Sequence, residues 1–215
     1  QPMVTEMIGA HPKESTGHEM LSLVRRGQHH LNTLGIQSGD RVVLIAPNSV
    51  CWVAADLAIL AAGAIVVPMY ARQDGKELVE MMHDCTPTRV IVSNALIAEK
   101  IVAHWPDAPI TLLDTLFSGV EEATTGPVPR TQNSDVTIIY TSGSTGTPKG
   151  VVTTVENTDF MLDVTRTALA GLLQHSNHQE RVFHYLPFCF AGSRIMLWTQ
   201  LLRGLGIVVS TDLEQ

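Results

Sequence analysis

Residues 140–150 read Y-T-S-G-S-T-G-T-P-K-G, a spacing of residue types that could do chemistry. Thr141, Ser142, Ser144, Thr145 and Thr147 offer hydroxyl donors, and Lys149 adds a full positive charge. Gly143 and Gly146 carry no Cβ, so the backbone there can turn tightly and approach a ligand. Successive peptide N–H groups in such a turn can converge on one concavity and hold an anion. These are the parts of a loop that grips a polyphosphate. Composition alone leaves a second reading open, a hairpin rich in Ser, Thr and Gly that binds nothing.

The spacing excludes two better-known phosphate loops. A Walker A loop closes on Gly-Lys-Ser/Thr, and Pro148 stands where its second glycine should be. The dinucleotide pattern G-x-G-x-x-G is also absent. Pro148 has no N–H and disfavours helix at Thr147, so the loop does not open straight into a helix. An apolar β-type run at 136–140 precedes it and a second, at 151–155, follows. The local expectation is strand–loop–strand.

The elements that must position this loop alternate in type. Residues 1–17 show no periodicity and read as an irregular lead-in. Residues 18–34 carry Leu21, Val24, Leu31 and Leu34 at helical intervals, with Gly35 as the stop. A β-branched strand at 41–46 follows, then a helix capped by Ser49 and ended by Gly63, then a strand at 64–68. Residues 74–85 form an amphipathic helix with Leu78, Val79, Met81 and Met82 inward. Strand 89–93, helix 95–104 and strand 110–113 continue the alternation. The fold class predicted is therefore α/β: a layered, largely parallel sheet flanked by helices. Residues 118–134, with Gly119, Gly126, Pro127 and Pro129, form a connector. Beyond the loop, 156–174 is a long helix with Met161, Val164, Ala168 and Leu172 on one stripe. Residues 181–186 are extended, 191–202 helical and 205–210 a strand.

Composition narrows the function classes. The 215 residues are 45% hydrophobic, enough to bury a real core, and a single domain is the default. A formal charge of −7 with no clustered Lys and Arg leaves no nucleic-acid footprint. The apolar stretch at 50–70 is broken by Asp56, Gly63 and Pro68, so no membrane span is predicted. Cys51, Cys85 and Cys189 are odd in number and have neither C-x-x-C nor zinc spacing. Reduced thiols in a cytoplasmic protein follow. His29-His30 and the His175/His178 pair lack a matching Cys or carboxylate set and read as solvated side chains.

Residues 141–150 resemble the phosphate loop T-S-G-S/T-T-G-x-P-K-G of the AMP-forming adenylating enzymes. That superfamily takes in the acyl-CoA synthetases, aryl-CoA ligases, luciferases and amino-acid adenylation domains. Residues 34–49, L-G-I-Q-S-G-D-R-V-V-L-I-A-P-N-S, and 61–68, A-A-G-A-I-V-V-P, are similar to two further family segments. The likeness runs from about His18 to the end of the sequence. It implies part of the large N-terminal domain of an acyl-adenylate-forming enzyme, spanning 1–215. Within it, 1–117 would be a first α/β subdomain, 118–134 the connector, and 135–215 the phosphate-loop segment and the start of a second subdomain.

The resemblance also implies roles. Thr141, Ser142, Gly143, Ser144, Thr145, Gly146 and Lys149 would hold the β- and γ-phosphates of ATP, with the Thr141 hydroxyl helping to bind Mg2+. Residues 185–194, Y-L-P-F-C-F-A-G-S-R, look like the family segment that starts a helix beside the acyl pocket, which puts Phe190, Ala191 and Ser193 at the substrate. Phe190 stands where many relatives carry histidine, and an uncharged phenyl face suits an apolar acid. Phe188 and Phe190 also read simply as core aromatics. Nothing nearby lowers the Cys189 pKa, and Ser193 lacks the G-x-S-x-G elbow of a hydrolase.

The function implied is that of an acyl-CoA synthetase acting on a carboxylic acid, foremost a fatty acid, with ATP, Mg2+ and coenzyme A. The family's later motifs, which bind magnesium and ribose, do not occur in the sequence, nor does the lid that carries the adenylation lysine. The expectation is therefore an N-terminal fragment that by itself makes no acyl-adenylate and exposes an apolar surface able to self-associate. Two rivals stay open: an amino-acid adenylation domain, and a non-catalytic domain that binds nucleotide or a protein partner. The first usually places an aspartate after the aromatic to pair with the substrate ammonium, and residues 188–191 offer none.

Overall fold

The computed structural model describes residues 2–142, 148–172 and 181–210. The chain opens with β1 (Pro2–Ile8) and β2 (His11–Thr16), then α1 (Gly17–Thr33), β3 (Arg41–Ile45), α2 (Val50–Ala61) and β4 (Ile65–Pro68). Next come α3 (Gly75–Cys85), β5 (Arg89–Val92), α4 (Ala95–Val102), β6 (Ile110–Leu112) and a 3-10 turn at Leu113–Phe117. After the connector come β7 (Asp135–Ser142), β8 (Pro148–Thr154), α5 (Val155–Leu172), β9 (Arg181–His184), α6 (Ala191–Arg203) and β10 (Gly206–Ser210).

These strands build two sheets. The larger has the order β6-β5-β3-β4-β7-β8 and is parallel except for its β7–β8 edge pair. The smaller has the order β2-β1-β10-β9, with β1–β10 and β10–β9 parallel. Elements from before and after the connector share each sheet. The layered α/β class read from the alternation is the one observed.

Helix α2 explains why the layers cohere. Its residues are buried nearly all round, with Trp52, Val53, Ala54, Ala55, Ala58 and Ile59 in the core, as expected of a helix apolar on every side. One hydrophobic cluster joins this helix to Val42, Leu44 and Val66 of the large sheet and to Val4, Ile207 and Val209 of the small one. The opposite face of the large sheet is covered by α3 and α4, where Leu78, Met82 and Ile101 meet Val43, Val67 and Val90. Helix starts follow their caps: the side chains of Thr16, Ser49, Asp74 and Asn94 each accept from a backbone N–H in the first turn.

The structure corrects two expectations. Residues 2–16 are not an irregular lead-in but a hairpin turning at Gly9, whose φ of 58° suits a tight hairpin turn. Strand β1 gains its core side only by pairing with β10, about two hundred positions later, and β2 is an exposed polar edge. Neither therefore carries a local signal. In α5 the stripe through Met161 and Val164 faces solvent, and the helix buries Thr158 and packs Val155 and Leu162 inward instead.

Candidate active site

The phosphate-loop sequence sits at the tip of the β7–β8 hairpin. The register pairs Thr141 with Lys149 and Ser142 with Pro148, so the predicted strand–loop–strand is what forms. Directly paired residues share one face of a hairpin, which puts the Thr141 and Lys149 side chains on the same face. Both are exposed. Among the described residues Lys149 has no carboxylate partner. Gly143, Ser144, Thr145 and Gly146 lie outside the described residues, as does the Ser142 side chain.

Tyr140 and Gly150 occupy the opposite face of the same hairpin. A Cβ on Gly150 would stand 2.8 Å from Ile138 Cγ2 and 3.2 Å from Tyr140 Cζ. The glycine lets the Tyr140 ring lie flat across β8. The phenol donates to Asp84 Oδ2 at 2.5 Å, with the Met81 carbonyl at 3.0 Å. Burial, then Asp84, push the Tyr140 pKa up, which keeps the phenol a donor.

The start of α6 is the second predicted site. Phe190, its N-cap, is 48% exposed and faces the Tyr70 ring at 5.8 Å. Ala191 is exposed beside it. Ser193 is buried, and its hydroxyl donates to the Leu186 carbonyl at 2.8 Å. Phe188, by contrast, is a core aromatic between Trp52 at 5.0 Å and His184 at 5.1 Å. Burial lowers the His184 pKa, and its Nε2 lies 2.6 Å from Gln200 Oε1. A depression of about 320 Å3 opens between β9 and α6, lined by Phe183, Tyr185, Leu186, Gly192 and Met196 among others, with no carboxylate among the described residues of the lining.

Asn48 holds this segment in place. Its amide donates to the Leu186 carbonyl at 2.9 Å and its carbonyl accepts from the Phe188 N–H at 2.8 Å. The Asn-Ser pair of residues 48–49 therefore splits its work: Ser49 caps α2, while Asn48 clasps the chain that leads into α6.

A buried ion pair joins the two sites, and the sequence did not reveal it. Arg194 and Asp56 are each 1% exposed and meet at 2.5 Å. The Trp198 indole donates to the other Asp56 oxygen at 2.8 Å, and the guanidinium carbon sits 4.3 Å over the Trp198 ring. Arg194 also donates to the Thr137 hydroxyl, which in turn donates to the Val66 carbonyl at 2.7 Å. Burial lowers the Arg194 pKa, and Asp56 acts against that. One network thus ties α2, α6, β4 and β7. Its one visible signal was Asp56, the lone charge in an apolar helix.

The remaining candidates are quieter. Cys51, Cys85 and Cys189 form no disulfide. Burial raises the Cys51 pKa and pushes Cys85 up to about 11, so neither is an activated nucleophile. His29 pairs with Glu121 at 3.0 Å. Among the described residues no three His, Cys, Asp or Glu side chains gather as a metal site, and no helix is long and apolar enough to cross a membrane. His175 and His178 lie outside the described residues.

A layered α/β fold carries this hydroxyl-rich sequence on a hairpin at one sheet edge. Residues 1–215 match the AMP-binding enzyme family throughout, and the chain belongs to that family. Its architecture is that of the N-terminal domain of adenylate-forming enzymes. The solved N-terminal domain of FACL13 from Mycobacterium tuberculosis superposes with a TM-score of 0.81 at 25% identity, covering 98% of this chain and 53% of that one. The chain is 30% identical over 200 residues to the NRPS-like tryptophan epimerase fscC of Fusarium equiseti, covering 86% of this chain and 12% of that protein. It is 28% identical over 193 residues to the long-chain-fatty-acid–CoA ligase FadD15 of Mycobacterium tuberculosis, covering 82% of this chain and 32% of that protein. The chain thus spans a third or less of the length of these curated relatives.

Proposed function

We propose that this chain is the phosphate-gripping portion of an ATP-dependent, AMP-forming ligase that activates a carboxylic acid. The observation that carries the reading is the Thr141–Lys149 pair, two exposed residues that bring a hydroxyl and a cation to paired positions on one hairpin face. The acid's carboxylate oxygen attacks the α-phosphorus of ATP. An acyl–oxygen–phosphorus bond forms, the α–β phosphoanhydride breaks, and pyrophosphate leaves with the electron pair. A thiol then displaces AMP to give a thioester, and coenzyme A is the acceptor we assign. An anion attacking a polyanion needs positioning and charge neutralisation above all, and the loop's donors supply both at the β- and γ-phosphates.

Magnesium, when bound, neutralises phosphate charge. Thr141 offers it one protein oxygen, in keeping with a hard cation held mostly by phosphates and water. Ser142, Gly143, Ser144, Thr145 and Gly146 complete the grip in this reading. The three cysteines, which form no disulfide, support a reducing, cytoplasmic setting.

The acid is assigned to the apolar class, foremost fatty acids. The half-exposed Phe190 ring and a depression with no carboxylate among its described lining residues support it, because a substrate ammonium would find no counter-charge among them. An amino-acid substrate is the second reading, favoured by the likeness to an NRPS-like protein. Carboxylate-dependent exchange of labelled pyrophosphate into ATP, run on the intact protein against fatty and amino acids, separates the two. Exchange with fatty acids alone is expected; exchange with amino acids alone moves the assignment to the second reading. No exchange with any acid leaves a domain that only binds.

A further inference from the structure

The phosphate-loop hairpin is poorly held by the sheet it extends. β8 is the edge strand, and β7 meets β4 in register at a single pair, Val66–Thr137. From Ile138 to Ser142 the strand pairs only with β8. Thr141 therefore stands about 13 Å beyond the last register pair with the sheet, at roughly 3.3 Å per residue. On that lever a tilt of about 5° shifts the tip by about 1 Å, and such misplacements can cost about a hundredfold in rate.

Among the described residues, one side chain of this outer half of the hairpin hydrogen-bonds to another element, and it is Tyr140. Its phenol reaches the last turn of α3, where Asp84 accepts at 2.5 Å and the Met81 carbonyl lies at 3.0 Å. That helix is itself anchored by Leu78, Val79, Met81 and Met82 in the core below the sheet. Gly150 clears the path for the ring, and Tyr140 packs against the same core cluster. The ring packing needs only an aromatic residue; the reach to Asp84 needs the hydroxyl.

We infer that Tyr140 is a positioning residue, a strut whose hydroxyl braces the hairpin against α3 and so sets where Thr141 and Lys149 present themselves to the ATP phosphates. This rests on the phosphate-gripping reading of the loop. Because Thr141 and Lys149 face away from the strut, Tyr140 acts through them rather than on the ligand.

The test uses the intact protein and pyrophosphate exchange, with Tyr140→Phe, Asp84→Asn and Lys149→Ala compared. Tyr140→Phe keeps the ring and removes the brace. It is expected to raise KM for ATP about tenfold, the scale of one hydrogen bond to a charged group, and to leave KM for the acid and the thermal midpoint nearly unchanged. Asp84→Asn retains an acceptor and is expected to have a smaller effect. Combined with Tyr140→Phe it should add almost nothing, since both act on the same contact. If Lys149→Ala raises KM for ATP while Tyr140→Phe does not, the strut is refuted and the phosphate reading stands. If Lys149→Ala leaves KM for ATP untouched, the phosphate reading falls and takes the strut with it. Equal rises in both KM values, or a lowered midpoint with unchanged kinetics, would mark Tyr140 as merely structural and overturn the inference.

Discussion

Arg194 shows how one side chain can govern distances it never spans itself. Its guanidinium joins α6, which begins at Phe190 and Ala191, to Thr137, four residues before Thr141 on β7. Asp56 on α2 balances the charge. Removing one member of a buried pair strands the other, at a cost of about 3–5 kcal/mol, whereas apolar replacement of both is often neutral. Arg194→Met is thus expected to lower the urea midpoint sharply, and Asp56→Leu with Arg194→Met to recover most of the loss. A double variant no more stable than the single would show that the network matters for something other than its charges. This pair was illegible in the sequence because its members lie 138 positions apart. Thr141 and Lys149 were legible because the whole loop is local, and a local pattern needs no fold to be read.

Among elements, the hairpin and the chain entering α6 teach the same lesson from opposite sides. The strands flanking the loop follow from their own β-branched runs. The path of residues 186–190 does not, since it depends on Asn48, brought there by the β3–α2 turn. Asn48→Ala removes two hydrogen bonds to that backbone and leaves the Phe188 N–H buried without its acceptor. KM for the acid is expected to rise several-fold with KM for ATP little changed, and a change confined to ATP would contradict the clasp. The Ser49 cap of α2 and the inward face of α3 were plain in the sequence. For α5 the more apolar stripe, Met161 and Val164, is the exposed one, because the inward face is set by its neighbours and Thr158 fits there. Hydrophobic periodicity tells that a face exists, not that this chain covers it.

For the whole molecule, one group of exposed apolar residues lies on α5 and β8. Phe160 is 71% exposed, and Met161, Val164, Val151 and Val152 are exposed as well. Uncovered apolar area of this kind favours association. The chain on its own is expected to sediment with a concentration-dependent mass, and Phe160→Lys with Val164→Lys to reduce that dependence. A strictly monomeric chain at high concentration would refute it. The sheet order carries a different consequence. β1 leaves the ribosome about two hundred residues before its core-side partner β10. During synthesis β1 and its hairpin must wait, unsatisfied along one edge, while β3 to β6 can already find one another. Closing so distant a pair is slow relative to joining sequence neighbours. The smaller sheet therefore closes only after every strand of the larger one has been made, and until then one edge of β1 stays open.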